Sequence, residues 1–416
     1  RGRGREGVVH AGPGGLARAA GRRWRGCVAV VTVQLPEGTF ATALPGDADS
    51  LLGGTRITAF RYDLLDRSEG YLGQLDTVAD GGSLSWSAQA SIKSGGTIPV
   101  TDPGRDIDWV TSRVRPVAVL SSGDTATLLE VPLGVYLPAA PEETWTDEGR
   151  SWTVDLLDKA SILDQDVPVD AAGNATAYTA PAGSNVVALV AALIQSTGEA
   201  VTAIEPGPEV LTSAMVFEPG TTKLKIVNEL LDAGNYFSLW VDGAGQFRVT
   251  KYRDPASRGV VYDLLTPFSR GPRSLMAPDW SRERDVWSVP NRYVAVSQGD
   301  GDTEGLVATA SNIDSDSQFS FQSRGRGVTQ IEEGVEATSL AALQGYADRK
   351  LAAAGASSKI DVHHAYLPDL LINSTVRFRY DHPGQGALDM LCTVSNTEVA
   401  LDPVALCRST LREVVG

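Results

Sequence analysis

Residues 221–252 read TTKLKIVNELLDAGNYFSLWVDGAGQFRVTKY, and this stretch decides the class of fold. Thr221 and Thr222 are candidate N-caps for a helix Lys223–Ala233, because a hydroxyl there accepts from an otherwise unpaired amide of the first turn. Within it Leu224, Val227 and Leu231 fall on one face, with Ile226 and Leu230 beside them, and Gly234 ends the helix. Tyr236–Val241 and Gln246–Tyr252 then flank Asp242-Gly243-Ala244-Gly245, a strong hairpin signal. Upstream, Ser184 reads as the N-cap of a second helix, Asn185–Thr197, whose stripe is Val186, Leu189, Val190, Leu193 and Ile194 and whose stop is Gly198. Helices beside a tight hairpin define a small α+β domain, 166–265.

Outward from it the period changes to that of strands. On the N-terminal side Arg56–Leu64, Tyr71–Val78, Ser83–Ala90, Arg113–Leu120, Ala126–Tyr136 and Ser151–Leu157 read as short strands punctuated by Gly, Asp and Pro turns. On the C-terminal side Asn291–Ser297, Lys359–Tyr366, Ser374–Tyr380, Met390–Ser395 and Leu406–Val414 do the same, with one helix among them at 339–354 carrying Leu340, Leu343, Ala347 and Leu351. The expected class is therefore α+β and β-rich: a β-barrel-like domain at 31–165, the α+β domain, and a second β-barrel-like domain at 266–416 with an inserted helix. A short echo, Asp108-Trp109-Val110 before Val114-Arg115 and Asp369-Leu370-Leu371 before Val376-Arg377, leaves internal duplication and chance both open.

The chain has 416 residues and a formal net charge of −15, enough length for about two to four domains. Three cysteines, Cys27, Cys392 and Cys407, exclude a disulfide framework. The longest apolar run, Val186–Ile194, is nine residues, against roughly 20 for a membrane helix, so a soluble protein without a membrane span is expected. Residues 1–30 carry seven Arg and one Glu, a balance of +6, which leaves −21 for the remainder. That Gly- and Ala-rich head has no apolar period and reads as a disordered basic extension. The five-residue run Cys27–Val31 after Arg22-Arg23 is too short for the core of a signal peptide. The native product is expected to begin near Val28–Val33, the head being upstream translation.

Few residues suggest chemistry. Nucleophile-elbow, phosphate-loop, zinc-helix and paired-cysteine motifs do not occur. Asp300, Asp302, Glu304 and Gly305 match positions 1, 3, 5 and 6 of a calcium loop, but Ser311 occupies the position of the bidentate Glu, so a solvated loop is the favoured reading. His363 and His364 are neighbours on a candidate strand and point to opposite faces, which makes a core or interface role more natural than a shared metal. The carboxylate pairs Asp155/Asp158 and Glu142/Glu143 lack a catalytic pattern. Trp109, Trp145, Trp152, Trp240, Trp280 and Trp287 could line a sugar face, yet their dispersal favours core and interface packing. Catalytic, cofactor and metal residues are each expected to be none, and no enzyme activity is expected.

The order of motifs nevertheless resembles one family. Asp108-Trp109 with Arg113-Val114-Arg115-Pro116, then Pro132-Leu133-Gly134-Val135-Tyr136 and Trp152-Thr153-Val154-Asp155-Leu156-Leu157-Asp158 resemble the first domain of phage minor tail proteins. The stretch 230–247 is similar to that family's middle domain, and Trp287-Ser288-Val289-Pro290-Asn291-Arg292-Tyr293-Val294, the helix Ala341–Leu351 and Leu367-Pro368-Asp369-Leu370-Leu371 to its ending. The chain thus resembles, over about 55–416, the baseplate-hub or tail-tip proteins of long-tailed phages, related to late-control tail proteins.

That resemblance implies a homotrimeric ring at the distal end of a tail in the virion. Each chain would supply two related barrels, and the ring would close by heterologous contacts. Implied partners are a tail-tube or distal tail protein, a tape-measure protein, and a tip or fibre protein. DNA would pass during virus entry without specific binding, the acidic balance repelling its phosphates. The alternative is a virion-borne or secreted carbohydrate-binding or cell-wall-degrading protein.

Overall fold

The computed structural model describes residues 30–32, 56–75, 81–102, 104–122, 128–147, 149–200, 203–265, 276–297, 305–335, 337, 339–355, 358–368, 370–382, 384, 386–402 and 406–414. Val30, the last residue of the expected basic extension, opens a strand Val30–Thr32 that pairs in parallel with Leu128–Glu130. The rest of that extension lies outside the described residues, as do Asp300, Asp302, Glu304 and Asp369.

The fold is β-rich α+β, and its strands meet in an unexpected way. Among the described residues 15 strands belong to one hydrogen-bonded sheet that runs through both β regions. The joining strand is Gly386–Ala400, 15 residues long, or about 50 Å at 3.3 Å per residue. Its residues 386–393 pair with Thr375–His382, and residues 392–398 pair with Cys407–Glu413. After a bulge at Val394/Asn396 its second half, Asn396–Ala400, pairs with Ser83–Ser87 of the first β region. A bulge adds local twist and re-aims a strand, which lets one strand serve two cores. The first core (Leu84, Ile98, Leu120, Tyr136, Val154 and neighbours) accordingly takes in Tyr366, Val399, Leu401 and Cys407 from the far end of the sequence. A second core, around Ile360, Phe378, Cys392 and Leu411, is built by the C-terminal β region together with Leu264 of the strand Val260–Leu265.

The helix Lys223–Ala233 has the expected bounds, with Thr222 Oγ1 capping the Lys225 amide. The other middle-domain helix is Val186–Gln195, and its cap is Asn185 instead of Ser184. Asn185 Oδ1 accepts from Ala188 N while its Nδ2 donates to the Gly207 and Glu209 carbonyls, a double role that a serine hydroxyl cannot fill. At the other end the Ser196 and Thr197 hydroxyls donate to the Leu193 and Ile194 carbonyls, which stops the helix two residues early. The expected strand Ala126–Tyr136 is in fact two, Leu128–Pro132 and Tyr136–Thr146, the second forming a long hairpin with Gly149–Asp158.

The C-terminal helix, Leu340–Ala354, is capped by Ser339 Oγ. It lies on a three-stranded sheet in which Arg292–Ser297 is flanked by Val307–Ser311 and Thr329–Val335. This module leaves the large sheet after Met276–Arg284 and returns at Ser358–His364, two strands that pair with each other. Its core is small: Tyr293, Ala295, Ala308, Ala310, Val335, Leu343 and Ala347. Leu343→Ala empties the centre of that core and is expected to cost about 2–5 kcal/mol. Hydrogen exchange on the full chain should then show protection lost across residues 289–354 and retained at Ile360 and Phe378.

Candidate functional site

The turn at the heart of the decisive stretch is where the middle domain meets the first β region. Asp242 Oδ1 accepts from the amides of Ala244 and Gln246, each at 2.9 Å, and Oδ2 stands 2.6 Å from Arg248 Nε, so this buried carboxylate shapes the turn. Gly243 lies against the first β region so closely that a Cβ there would collide with the Pro132 carbonyl. Gly245 adopts φ +81 and faces Val135, a backbone state in which side chains are strained.

Beneath the turn four charged groups converge. Lys159 Nζ donates to the Gly245 carbonyl at 2.9 Å and pairs with Glu199 Oε2 at 2.9 Å and with Glu69. Arg113 joins the same two carboxylates, at 2.9 Å to Glu69 and 2.5 Å to Glu199. The side chains of Lys159 and Arg113 are 4% and 5% exposed, so each depends on these anions for its charge. Every member comes from a different element. Glu69 stands in the turn after Arg56–Leu65, Arg113 opens a strand, Lys159 precedes the helix Ala160–Asp164, and Glu199 follows Val186–Gln195. Burial would raise the Glu199 carboxyl, but the hydrogen bonds and charges of Arg113 and Lys159 outweigh it and hold the group below its ordinary value. Burial likewise opposes the Arg113 charge, and Glu199 and Glu69 overcome it.

On the other side of the turn lies a cavity of about 430 Å³ where all three regions meet. Trp86 and Arg115 come from the first β region, Trp240 and Arg248 from the middle domain, and His364 and Tyr366 from the C-terminal strands. Its charges are paired: Arg115 with the buried Asp63 at 2.9 Å, Arg248 with Asp242. His364 Nε2 is 2.8 Å from Ser409 Oγ and Nδ1 is 2.7 Å from the Ala365 carbonyl. The arrangement ties the three regions together.

The other residues singled out from sequence fall as follows. His363 is exposed and His364 buried, on opposite faces. His382 stacks on Tyr380. Cys392 and Cys407 are both buried, and burial pushes the Cys392 thiol up to about 12. Asp155 is exposed, whereas Asp158 is buried, accepts from Ser94 Oγ at 2.5 Å and caps Ala160 N at 2.8 Å. Trp280 packs on Phe378 and Tyr380. Trp109, Trp145 and Trp152, by contrast, come together on one surface through Arg150. Among the described residues no group of three or more His, Cys, Asp or Glu is placed to hold a metal. No described helix is long and apolar enough to cross a membrane. The sequence holds no signal for the ion square: Arg113 stands out only within a motif, and separations of 40 to 130 residues leave no spacing to read.

Three solved structures share this architecture. The tail protein from Neisseria meningitidis MC58 superposes with a TM-score of 0.56 over 85% of this chain and 96% of that chain, at 13% identity. The 43 kDa tail protein of prophage MuSo2 from Shewanella oneidensis gives 0.54, 85%, 98% and 12%. The chain has a tail-protein fold. Prophage tail protein gp18 from Listeria monocytogenes EGD-e adds 0.50, 85%, 94% and 12%. No family model matches the sequence, and no curated protein does.

Glu199→Gln leaves two buried cations facing Glu69 alone and is expected to cost about 3–5 kcal/mol at pH 7. Because the folded-state value of Glu199 lies below the ordinary 4.5, its stabilisation is complete above pH 4.5 and disappears as the pH falls through the lowered value. Urea unfolding of both proteins should show the gap at pH 7 and its closure in acid.

Proposed function

We propose that this chain is a non-enzymatic structural component of a phage or phage-like tail: a hub, in a homotrimeric ring, at the distal end of the tail tube. The observation that carries the reading is the tail-protein fold over 85% of the chain. The interior supports it. What the interior supplies is fixed geometry: a neutral square of ions around buried Arg113 and Lys159, a glycine turn seated on Pro132, and one sheet spanning both β regions. Three of the buried acids are held in structural contacts, Asp158 with Ser94 and the Ala160 amide, and Asp63 and Asp242 as arginine partners.

In this role the chain joins the tube or a distal tail protein to tip or fibre proteins beside the tape-measure protein, in the virion. Its net charge of −15 suits a passage that DNA traverses without adhering. Light scattering and co-sedimentation of the full chain with purified tail tubes test the reading. A trimer, or a species that saturates tube ends at three copies, is the expected result. Hydrolysis of peptidoglycan, or absence from tubes, overturns it. Once the lumen is mapped, replacing its acids with Lys should slow genome ejection while particles still assemble, as measured by DNA release on receptor addition.

A further inference from the structure

Two surfaces carry exposed tryptophans, Trp145 on one and Trp287 on the other, and they differ in sign; Trp109 and Trp152 beside Trp145 also rest on the first core. The first lies on the hairpin of the first β region. Arg150 lies with its guanidinium carbon 4.4 Å from the Trp152 ring and 5.4 Å from the Trp145 ring, and Trp109 follows at 6.5 Å from Trp152. Arg150 is steadied by Asp102 and Glu143 at 3.3 and 3.4 Å. Trp145 is 71% exposed and Val110 93%. The strand that bears Trp145 contains Pro138, Pro141, Glu142 and Glu143, the composition of an edge that resists strand addition, so a partner here is met by side chains. Segments 102–108 and 142–150 together carry seven acids and two Arg, a balance of −5.

The second surface is on the inserted module. Trp287 is 73% exposed yet rigidly held. Its amide donates to Asp285 Oδ1 at 2.8 Å, and its carbonyl accepts from Arg324 at 2.6 Å and Arg326 at 2.8 Å. The Arg326 guanidinium lies 3.9 Å from its ring centre. Val286 and Phe321, 61% and 56% exposed, accompany it. Segments 284–292 and 321–328 carry Arg284, Arg292, Arg324 and Arg326 against Asp285 alone, a balance of +3 in an acidic chain. A preorganised Trp over Arg is the composition of an interface hot spot, since its ordering cost has already been met within the fold.

We propose that these surfaces are the two halves of one contact between copies of this chain, Trp287 of one copy seating on the Trp145–Arg150–Trp152 ladder of the next. Charge complementarity identifies the occupant as a second copy: each chain carries an aromatic centre with an acidic surround and another with a basic surround. The two halves are different surfaces, so the contact is heterologous and repeats head to tail until a ring closes. This inference rests on the ring reading and names its interface.

The test is self-association of the full chain by sedimentation velocity, in three charge variants. Glu142→Lys with Asp147→Lys reverses the acidic half, Arg284→Glu with Arg292→Glu the basic half, and the fourfold variant reverses both. Each reversal alone should weaken association about tenfold or more, as should Trp287→Ala, and the fourfold variant should recover it. Association that ignores the single reversals overturns this contact and leaves the ring reading intact. Loss without recovery in the fourfold variant points to a different partner and also overturns it. Should the wild-type chain remain monomeric alone, the same variants are counted on tail tubes. Full occupancy by the single reversals there overturns the contact, and single copies per tube overturn contact and ring together.

Discussion

A lysine ammonium with 4% exposure is stable only where anions surround it, and Lys159 has two, Glu69 and Glu199, together with the Gly245 carbonyl. Arg113 shares the same pair, so two positive and two negative charges close a neutral set in which all but Glu69 have little access to water. Such sets gain little net free energy over an apolar packing of equal volume, but breaking one strands a buried charge. The consequence is directional. Glu199 belongs to the middle domain and the other three to the first β region and its exit, so the middle domain has one seating that satisfies all four. The glycines at 243 and 245 then follow as a requirement, because any side chain there would hold the turn away from Pro132 and Val135 and lift Gly245 off Lys159.

What could be read from sequence is what local chemistry controls. The helix Lys223–Ala233 was legible because its cap, stripe and stop lie within a dozen residues, and the hairpin after it because Asp242 and two glycines have few other uses. The strand Tyr136–Thr146 was hidden by Pro138 and Pro141, which mark an edge strand as readily as a loop. Val307–Ser311 and Thr329–Val335 were missed because their inward residues are mostly small or absent, as with Ala308 and Ala310, and alternation of alanine with polar residues is a weak signal. The join between β regions was invisible for another reason: the pairing of Asn396–Ala400 with Ser83–Ser87 spans some three hundred residues, and no periodicity reports a partner that distant.

The candidate site divides in the same way. His363 and His364 could be assigned to opposite faces from strand geometry alone, and they occupy them. The tryptophans could not be sorted, because 109, 145 and 152 reach one surface only after the hairpin has folded beside Ser94–Thr101. Dispersal along the chain therefore favoured packing for all six. Trp240 and Trp280 take the inward places, lining a cavity and a core, and Trp145 and Trp287 are exposed on the single chain.

Acidity gives the exposed pair its significance. Chains of net charge −15 repel one another over distances comparable with the Debye length, about 8 Å at physiological salt, and a ring would hold several of them side by side. Aromatic burial at a contact must therefore overcome a general repulsion, unless one face of each chain is locally reversed. Residues 284–292 and 321–328 are such a reversal, and they sit on a module that leaves and rejoins the large sheet between two paired strands. The inserted position lets the reversed surface stand apart from the acidic body without disturbing the ladder beneath it. In a chain of net charge −15, this basic surface is where the acidic surface of another copy would meet opposite charge instead of like charge.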